Sequence, residues 1–347
     1  MHRLLLLFCL LFHLTLHADE EKRLLIIGNS YTFCNDLPAL IQAMADADKE
    51  AMQVDSYTAG AMSLHGFLNS PQHSKGISML EKGNYDYVLL QDQSQTPAYK
   101  PEETLDSVQR WSTLARKHGA KPVLFMTWAH AEQTDGNKVR LQTAMHEDTA
   151  KTYCKAAINA KAKVAPVGEA WRRWYSKHPN APLHTKDMSH PTPEGTYLAA
   201  CVIYSTITGK SATSIPVRLK NSPVRISATK ARELQKVAAA TLKNFTPAKF
   251  LSSIEERDGK RPSAEEARNL LTRNTTLTQL TEQLGKPYMK QKNGSQLTCQ
   301  FRLQGGAELA AYCTPAGKVL NVSITAPNTG VEIIDLSQLP PSNKSKN

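Results

Sequence analysis

The chain has 347 residues, 41% of them hydrophobic and 21% charged, a balance that excludes a disordered polymer and a length that suggests two folded units. The formal charge of +11 comes from 42 Lys and Arg against 31 Asp and Glu. These basic residues are scattered rather than bunched into a phosphate-tracking run, which argues against nucleic acid as a partner and for anionic glycans or anionic surfaces.

Residues 1–18 read as a secretory signal: Arg3 supplies the positive start, Leu4 to Leu16 the apolar run, and Leu16-His17-Ala18 a cleavage site. The run is shorter than the ~20 residues a spanning helix needs, and no later segment is apolar enough to span. A periplasmic or secreted location without stable membrane insertion is therefore expected. Cys9 falls in the signal, and Cys34, Cys154, Cys201, Cys299 and Cys313 remain. The first three lie in or beside apolar stretches and read as buried thiols. Cys299 and Cys313 bracket one hairpin and are expected to form a disulfide in an oxidising compartment. No cysteine or histidine spacing suits zinc.

Five short apolar runs read as strands: "RLLIIGNS", "AMQVDSYTAG", "YDYVLLQDQ", "KPVLFMTWA" and "AKVAPVGEA". Their unbroken apolar character means burial on both faces. Leu37 to Asp48, Pro101 to His118 and Leu141 to Ala160 suit crossover helices between them, so residues 19–246 are expected to form a three-layer α/β domain with a doubly wound parallel sheet. Thr192 caps a helix opened by Pro193 and ended by Gly209, and a further helix runs from Ala228 to Lys243. Phe245 to Phe250, with Pro247, reads as a linker. Residues 247–338 change character. A capping box at Ser263 and Glu266, a short helix over Thr278 to Leu284 and three strands in "SQLTCQFRL", "AELAAYCT" and "KVLNVSIT" make a small α+β module. Residues 339–347 form a polar tail expected to be disordered.

In an open parallel sheet, ligands bind outside the carboxyl ends of the strands. Ser30, on the turn leaving the first strand, either stands over such a site or caps the next helix. "DMSHPTPEG" places Asp187 and His190 three residues apart near the end of the α/β domain. A serine becomes a nucleophile when an imidazole takes its proton, and that imidazole needs an acceptor on its other nitrogen. Gly60, directly after the second strand, can bring a backbone N–H to a developing oxyanion without a side chain in the way. Gln93, after the third strand, is an amide donor at the same edge. Each has a bland alternative: a turn glycine and a solvated loop residue. His65, Trp128 and His130 also fall at that edge and stay with the bland reading of ordinary loop and packing residues over that of cleft lining, while Trp171 and Trp174 read as packing or sugar-stacking groups. His184 is given no role.

Gly28-Asn29-Ser30, the glycine after strand two, the amide after strand three and Asp-x-x-His resemble the SGNH (GDSL-like) hydrolase superfamily over residues 23–245. "IGNSYT", "NDLPAL", "LLQDQSQ" and "HPTPEGTYLAAC" resemble, more narrowly, a bacterial branch with GNS in place of GDS. The resemblance implies a flavodoxin-like SGNH fold and a serine esterase. Ser30 would be the nucleophile, His190 the base and Asp187 its orienter, with an oxyanion hole at Ser30 N–H, Gly60 N–H and an Asn side chain. That Asn is absent: Gln91-Asp92-Gln93-Ser94 stands in its block, and Gln93 is the carry-over. The expected function is removal of acetyl or another small acyl group from carbohydrate, without cofactor or metal. Two alternatives are a lipase or thioesterase on acyl chains and a catalytically idle glycan-binding protein of the envelope. Every candidate catalytic residue precedes Phe245, so the C-terminal module is expected to be dispensable for chemistry.

Overall fold

A computed structural model describes residues 21–134, 138–326 and 330–341. The expected signal, residues 1–18, and most of the expected tail lie outside them. In chain order the α/β part comprises β1 (Lys22–Gly28), α1 (Ser30–Phe33), α2 (Leu37–Ala47), β2 (Met52–Thr58), α3 (Leu64–Asn69), α4 (Lys75–Lys82), β3 (Tyr87–Leu90), α5 (Thr96–Tyr99), α6 (Pro101–Lys117) and β4 (Lys121–Phe125). A hairpin of β5 (Ala131–Thr134) and β6 (Lys138–Leu141) follows, then α7 (Thr143–Asn159), β7 (Lys163–Ala165), α8 (Val167–Lys177), α9 (Pro193–Thr208) and α10 (Ala228–Asn244).

Five strands form one sheet in the order β2-β1-β3-β4-β7, and every pairing in it is parallel. The reason lies in the side chains of β1. Leu24 and Ile26 enter the core beneath α2 and α9, Leu25 and Ile27 enter the opposite core beneath α3, α6 and α7, and all four are fully buried. A strand buried on both faces needs helices on both sides, which right-handed parallel crossovers supply. The order reverses direction between β1 and β3, so their carboxyl ends form the switch-point crevice. The capping signals at α9 are realised, since the Thr192 hydroxyl accepts the Gly195 N–H at 3.2 Å and Gly209 takes φ 76°.

The C-terminal part holds α11 (Pro247–Gly259), α12 (Ala264–Asn269), α13 (Leu277–Leu284) and β8 (Met289–Asn293), β9 (Gln296–Arg302), β10 (Glu308–Cys313), β11 (Val319–Ala326) and β12 (Gly330–Asp335). Its sheet is antiparallel, in the order β12-β11-β10-β9-β8, with its own core around Phe301, Leu309 and Val322. The three expected strands are its centre. The edge strands escaped the sequence because β8 is polar and exposed throughout and β12 buries little.

Two expectations change here. The supposed linker is the start of α11, separated from α10 only by Phe245 and Thr246, and Phe245 and Phe250 pack against the α/β core. Charge also crosses to α7: Arg257 of α11 and Arg261 just after it reach the Glu147 carboxylate at 2.9 and 3.3 Å, and Arg302 of β9 holds Asp148 at 2.6 Å. The expected disulfide is also not made. Cys299 and Cys313 are both free and buried. They lie diagonally, Cys299 opposite Ala311 and Cys313 opposite Leu297, rather than across from one another as a bridge between neighbouring strands favours.

Candidate active site

β1 runs straight into a tight turn whose geometry depends on Gly28. A Cβ there would come within 2.3 Å of the Thr32 hydroxyl and 2.6 Å of the Gln91 side-chain oxygen Oε1. Asn29, not Ser30, caps α1: its side-chain oxygen accepts the Tyr31 N–H at 3.1 Å. Ser30 is thereby left as the first residue of the helix at the carboxyl end of β1, its hydroxyl free for other work.

The second half of the site is the loop before α9. The Asp187 carboxylate accepts the Ser189 and His190 backbone N–H groups at 2.9 Å each and the Thr185 hydroxyl at 2.8 Å. Thr185 N–H donates to His190 O at 2.8 Å, and Met188 takes φ 60° to close the turn. Two anchors bring the halves together. Asn35, itself at φ 54°, donates from Nδ2 to Pro191 O at 3.0 Å and to the Thr196 hydroxyl at 2.8 Å. Tyr31 OH meets Ser189 Oγ at 2.7 Å.

The result is a linear chain of groups. His190 Nε2 lies 2.9 Å from Ser30 Oγ, and His190 Nδ1 lies 2.6 Å from Asp187 Oδ2. Partial desolvation of Asp187 works against its charge, but hydrogen bonds from the His190 ring, the two backbone N–H groups and Thr185 outweigh it and hold the carboxyl well below the usual carboxylate range. An ionised Asp187 can only accept. Nδ1 of His190 therefore donates, and Nε2 carries the lone pair that receives the Ser30 O–H. The Asp187 and His190 side chains are 50% and 38% exposed, so the chain of groups lies at an open surface.

Behind it stands an aromatic stack. Tyr31 stacks on Trp128 with centroids 4.5 Å apart, and Trp128 on Trp171 at 3.9 Å. Trp128 Nε1 donates to Ser189 O at 2.9 Å. Trp128 is thus a buried wall of the loop and not a cleft-lining residue, and Trp171 and Trp174 are likewise buried. His130 is half-buried with Nε2 3.2 Å from Ser189 Oγ, and His65 is exposed beside Asn69. His184, given no role in advance, is a structural group: Nε2 donates to Ala129 O at 3.1 Å, and Nδ1 accepts from Tyr175 OH at 2.8 Å.

Burial lowers the His184 pKa to about 3. Above the ordinary histidine value of about 6.5 both folded and unfolded chains hold it neutral; between about 6.5 and 3 only the unfolded chain takes the proton. Its share of stability is therefore lost as pH falls, at up to about 1.4 kcal/mol per pH unit. His184→Gln is expected to flatten that part of the curve in urea unfolding between pH 7 and pH 4. An unchanged slope would assign the acid sensitivity elsewhere.

The strand-end loops after β2 and β3 are tied to the same turn. Ala59 N–H donates to Gly28 O at 3.1 Å, so Gly60 follows immediately beside the end of β1. Asn29 donates to Met62 O at 2.9 Å, and its N–H to Gln91 Oε1 at 2.8 Å. Gln91 and Asp92 are buried, and the Asp92 carboxylate accepts Leu64 N–H, Gln93 N–H and the Thr104 hydroxyl at 2.9, 2.8 and 2.6 Å. Gln93 serves partly as a helix anchor. Its Oε1 accepts the Gln95 and Thr96 N–H groups at 2.7 and 3.1 Å, and its Nε2 donates to Ser94 Oγ at 3.1 Å. Sequence reasoning missed Asn29, Asn35, Gln91 and Asp92. The signal that marks Asn29, Gln91 and Asp92 is a polar side chain set against the end of an apolar strand, where burial demands partners; Asn35, after α1 and half-buried, carries no such signal.

No family model matches the chain, and no curated protein matches its sequence. Solved structures do match. A DUF4886 family protein from Bacteroides uniformis is 17% identical at a TM-score of 0.55, over 64% of this chain and 95% of that one. A Slackia heliotrinireducens protein provisionally classed as an SGNH hydrolase is 26% identical at a TM-score of 0.44, over 54% and 98%. An acetyl xylan esterase is 13% identical at 0.44, over 53% and 99%. Among the described residues no helix is long and apolar enough to cross a membrane. With its five-stranded parallel sheet between two helical layers, the chain shares its α/β fold with the DUF4886 family protein.

Proposed function

We propose that the protein is an exported serine esterase that removes small acyl groups, acetyl foremost, from a carbohydrate. The observation that carries this reading is the unbroken sequence Ser30 Oγ, His190 and Asp187 with separations of 2.9 and 2.6 Å. His190 takes the Ser30 proton as Oγ attacks the ester carbonyl, Asp187 steadies the imidazolium, and His190 then protonates the leaving sugar alcohol. Water repeats the sequence on the acyl-enzyme. Ser30 N–H, Gly60 N–H and the Gln93 amide are the oxyanion donors in this reading. The open position of His190 and Asp187 favours a small acyl group on a bulky alcohol over a long chain that needs an apolar groove. Acetyl xylan esterase among the structures of similar fold fits the same substrate class, and the N-terminal signal fits export.

The test is a screen of the full chain on acetylated oligosaccharides beside esters of increasing acyl length, with rates expected to fall as the acyl chain grows. Hydrolysis that rises with chain length would replace this reading with a lipase or thioesterase. The oxyanion assignment has its own test in Gln93→Glu, which keeps the Oε1 acceptor for Gln95 and Thr96 but replaces the amide donor. Turnover is expected to fall by on the order of 10²–10³ with little change in melting temperature. Parent-like turnover would remove Gln93 from the hole.

A further inference from the structure

A second cleft, of about 470 Å³, opens between β6, α7, α8 and α11. It faces the same edge of the sheet as Ser30, because α7 and α8, like α1, begin where the route along the parallel strands ends. It is also rooted beside the His190 loop. Ala131 N–H of the β5–β6 hairpin donates to Met188 O at 2.8 Å, and Gln142 N–H to His130 O at 2.9 Å.

Charge in the cleft is layered. Glu169 and Glu147 lie at its floor with side chains 10% and 9% exposed, each already engaged. Glu169 accepts Arg172 at 2.8 Å and contacts His146 Nε2 at 2.7 Å; Glu147 accepts Arg257 at 2.9 Å. Above them the Arg172 and Arg257 side chains are 53% and 51% exposed, and Arg140 of β6 is 46% exposed. The carboxylates are therefore neutralised below while guanidinium groups face the opening. Arg172 uses Nε and Nη2 on Glu169, Arg257 uses Nε and Nη1, and Arg140 uses Nε on Glu132. Among the described residues both Nη groups of Arg140, Nη1 of Arg172 and Nη2 of Arg257 keep free donors. Three planar forks from three elements suit an oxyanion that accepts several hydrogen bonds at once. The N-terminus of α7, which has no side-chain cap among the described residues, adds a partial positive charge in the same direction.

We propose that this cleft binds an anionic group, carboxylate or phosphate, borne by the acylated polymer, and so holds the chain along the edge while Ser30 acts on an ester further on. The part that concerns catalysis rests on the esterase reading; binding itself does not. Arg140 is the residue to change, because its partner Glu132 keeps a side chain 24% exposed, whereas Glu169 and Glu147, the partners of Arg172 and Arg257, are 10% and 9% exposed and would lose a buried counter-charge. Calorimetric titration of the full-length protein with glucuronate, inorganic phosphate and glucose is expected to give binding of one or both anions and none of glucose, weakened at least about tenfold in Arg140→Gln. Preference between the two anions identifies the source. In kinetics, an acetylated oligosaccharide bearing glucuronate should exceed its neutral counterpart at least about tenfold in kcat/KM, through KM, and Arg140→Gln should erase that difference while leaving a small acetyl ester unaffected. Anions that bind no better than glucose, or equally well to parent and Arg140→Gln, overturn the proposal. Anion binding lost in the variant of a protein that hydrolyses no ester would uphold the cleft and remove the esterase reading instead.

Discussion

Ser30→Ala is expected to lower hydrolysis of a small acetyl ester by on the order of 10⁴-fold or more while the protein stays folded. The hydroxyl is the atom that becomes acylated in the proposed mechanism, so its loss removes the covalent route rather than weakening a contact. Its structural cost is small, since the one side-chain hydrogen bond it makes among the described residues is to a His190 ring that is itself part exposed; a change within about 0.5 kcal/mol is expected. His190→Ala should be comparably inactive. Asp187→Asn should retain the loop's acceptor oxygen yet lose on the order of 10⁴ in turnover, because an amide facing Nδ1 favours the wrong imidazole tautomer. A serine-directed fluorophosphonate supplies a readout independent of substrate choice. It should label Ser30 in the parent and fail to label His190→Ala. A folded parent that takes no label and hydrolyses no ester would leave a glycan-binding protein in place of the enzyme, and an active Ser30→Ala would assign the chemistry to another group.

Much of the architecture was legible because apolar runs leave little choice. Leu24 to Ile27 can be buried on both faces only inside a helix-covered sheet, and the caps at Thr192 and Gly209 mark α9 by local chemistry alone. The approach of Ser30 to Asp187 and His190 was legible only in part. The Asp-x-x-His spacing is local, but the closure of a gap of 160 residues in sequence depends on Asn35 and Tyr31, whose side chains reach across to Pro191, Thr196 and Ser189. Such long-range hydrogen bonds leave no periodic trace. The role of Trp128 was left open for the same reason: its place after β4 says that it is at the active edge, while its stacking between Tyr31 and Trp171, which turns it inward, is a tertiary fact. The stretch Phe245 to Phe250 was misread as a linker through Pro247, which reads as a break but occupies the first position of α11, where a missing N–H costs nothing. Cys299 and Cys313 were near enough in sequence to suggest a bridge, and only strand register puts them on the diagonal.

The largest stability effect is expected at Asp92, a residue that takes no direct part in the proposed chemistry. Its side chain is 1% exposed and accepts from Leu64 N–H at the start of α3, from Gln93 N–H after β3 and from the Thr104 hydroxyl on α6. One carboxyl group thus pins the two loops that carry Gly60 and Gln93. Asp92→Ala would strand three donors in a site closed to water and destabilise the protein by about 3–5 kcal/mol, since each buried unpaired donor costs about 1–3 kcal/mol. Burial raises the Asp92 pKa, against the pull of Thr104 and the two backbone donors, so a neutral side chain of the same shape is accommodated. Asp92→Asn keeps one oxygen for the backbone N–H groups and turns an NH₂ toward Thr104, whose hydroxyl can rotate to accept. It is expected to cost about 1 kcal/mol and to keep most of the turnover. Urea unfolding and ester hydrolysis on both variants decide the matter: Asp92→Ala as stable as the parent would show that the loops are held by other contacts, and Asp92→Asn as damaging as Asp92→Ala would show that the negative charge itself, not the acceptor geometry, organises the candidate oxyanion donors.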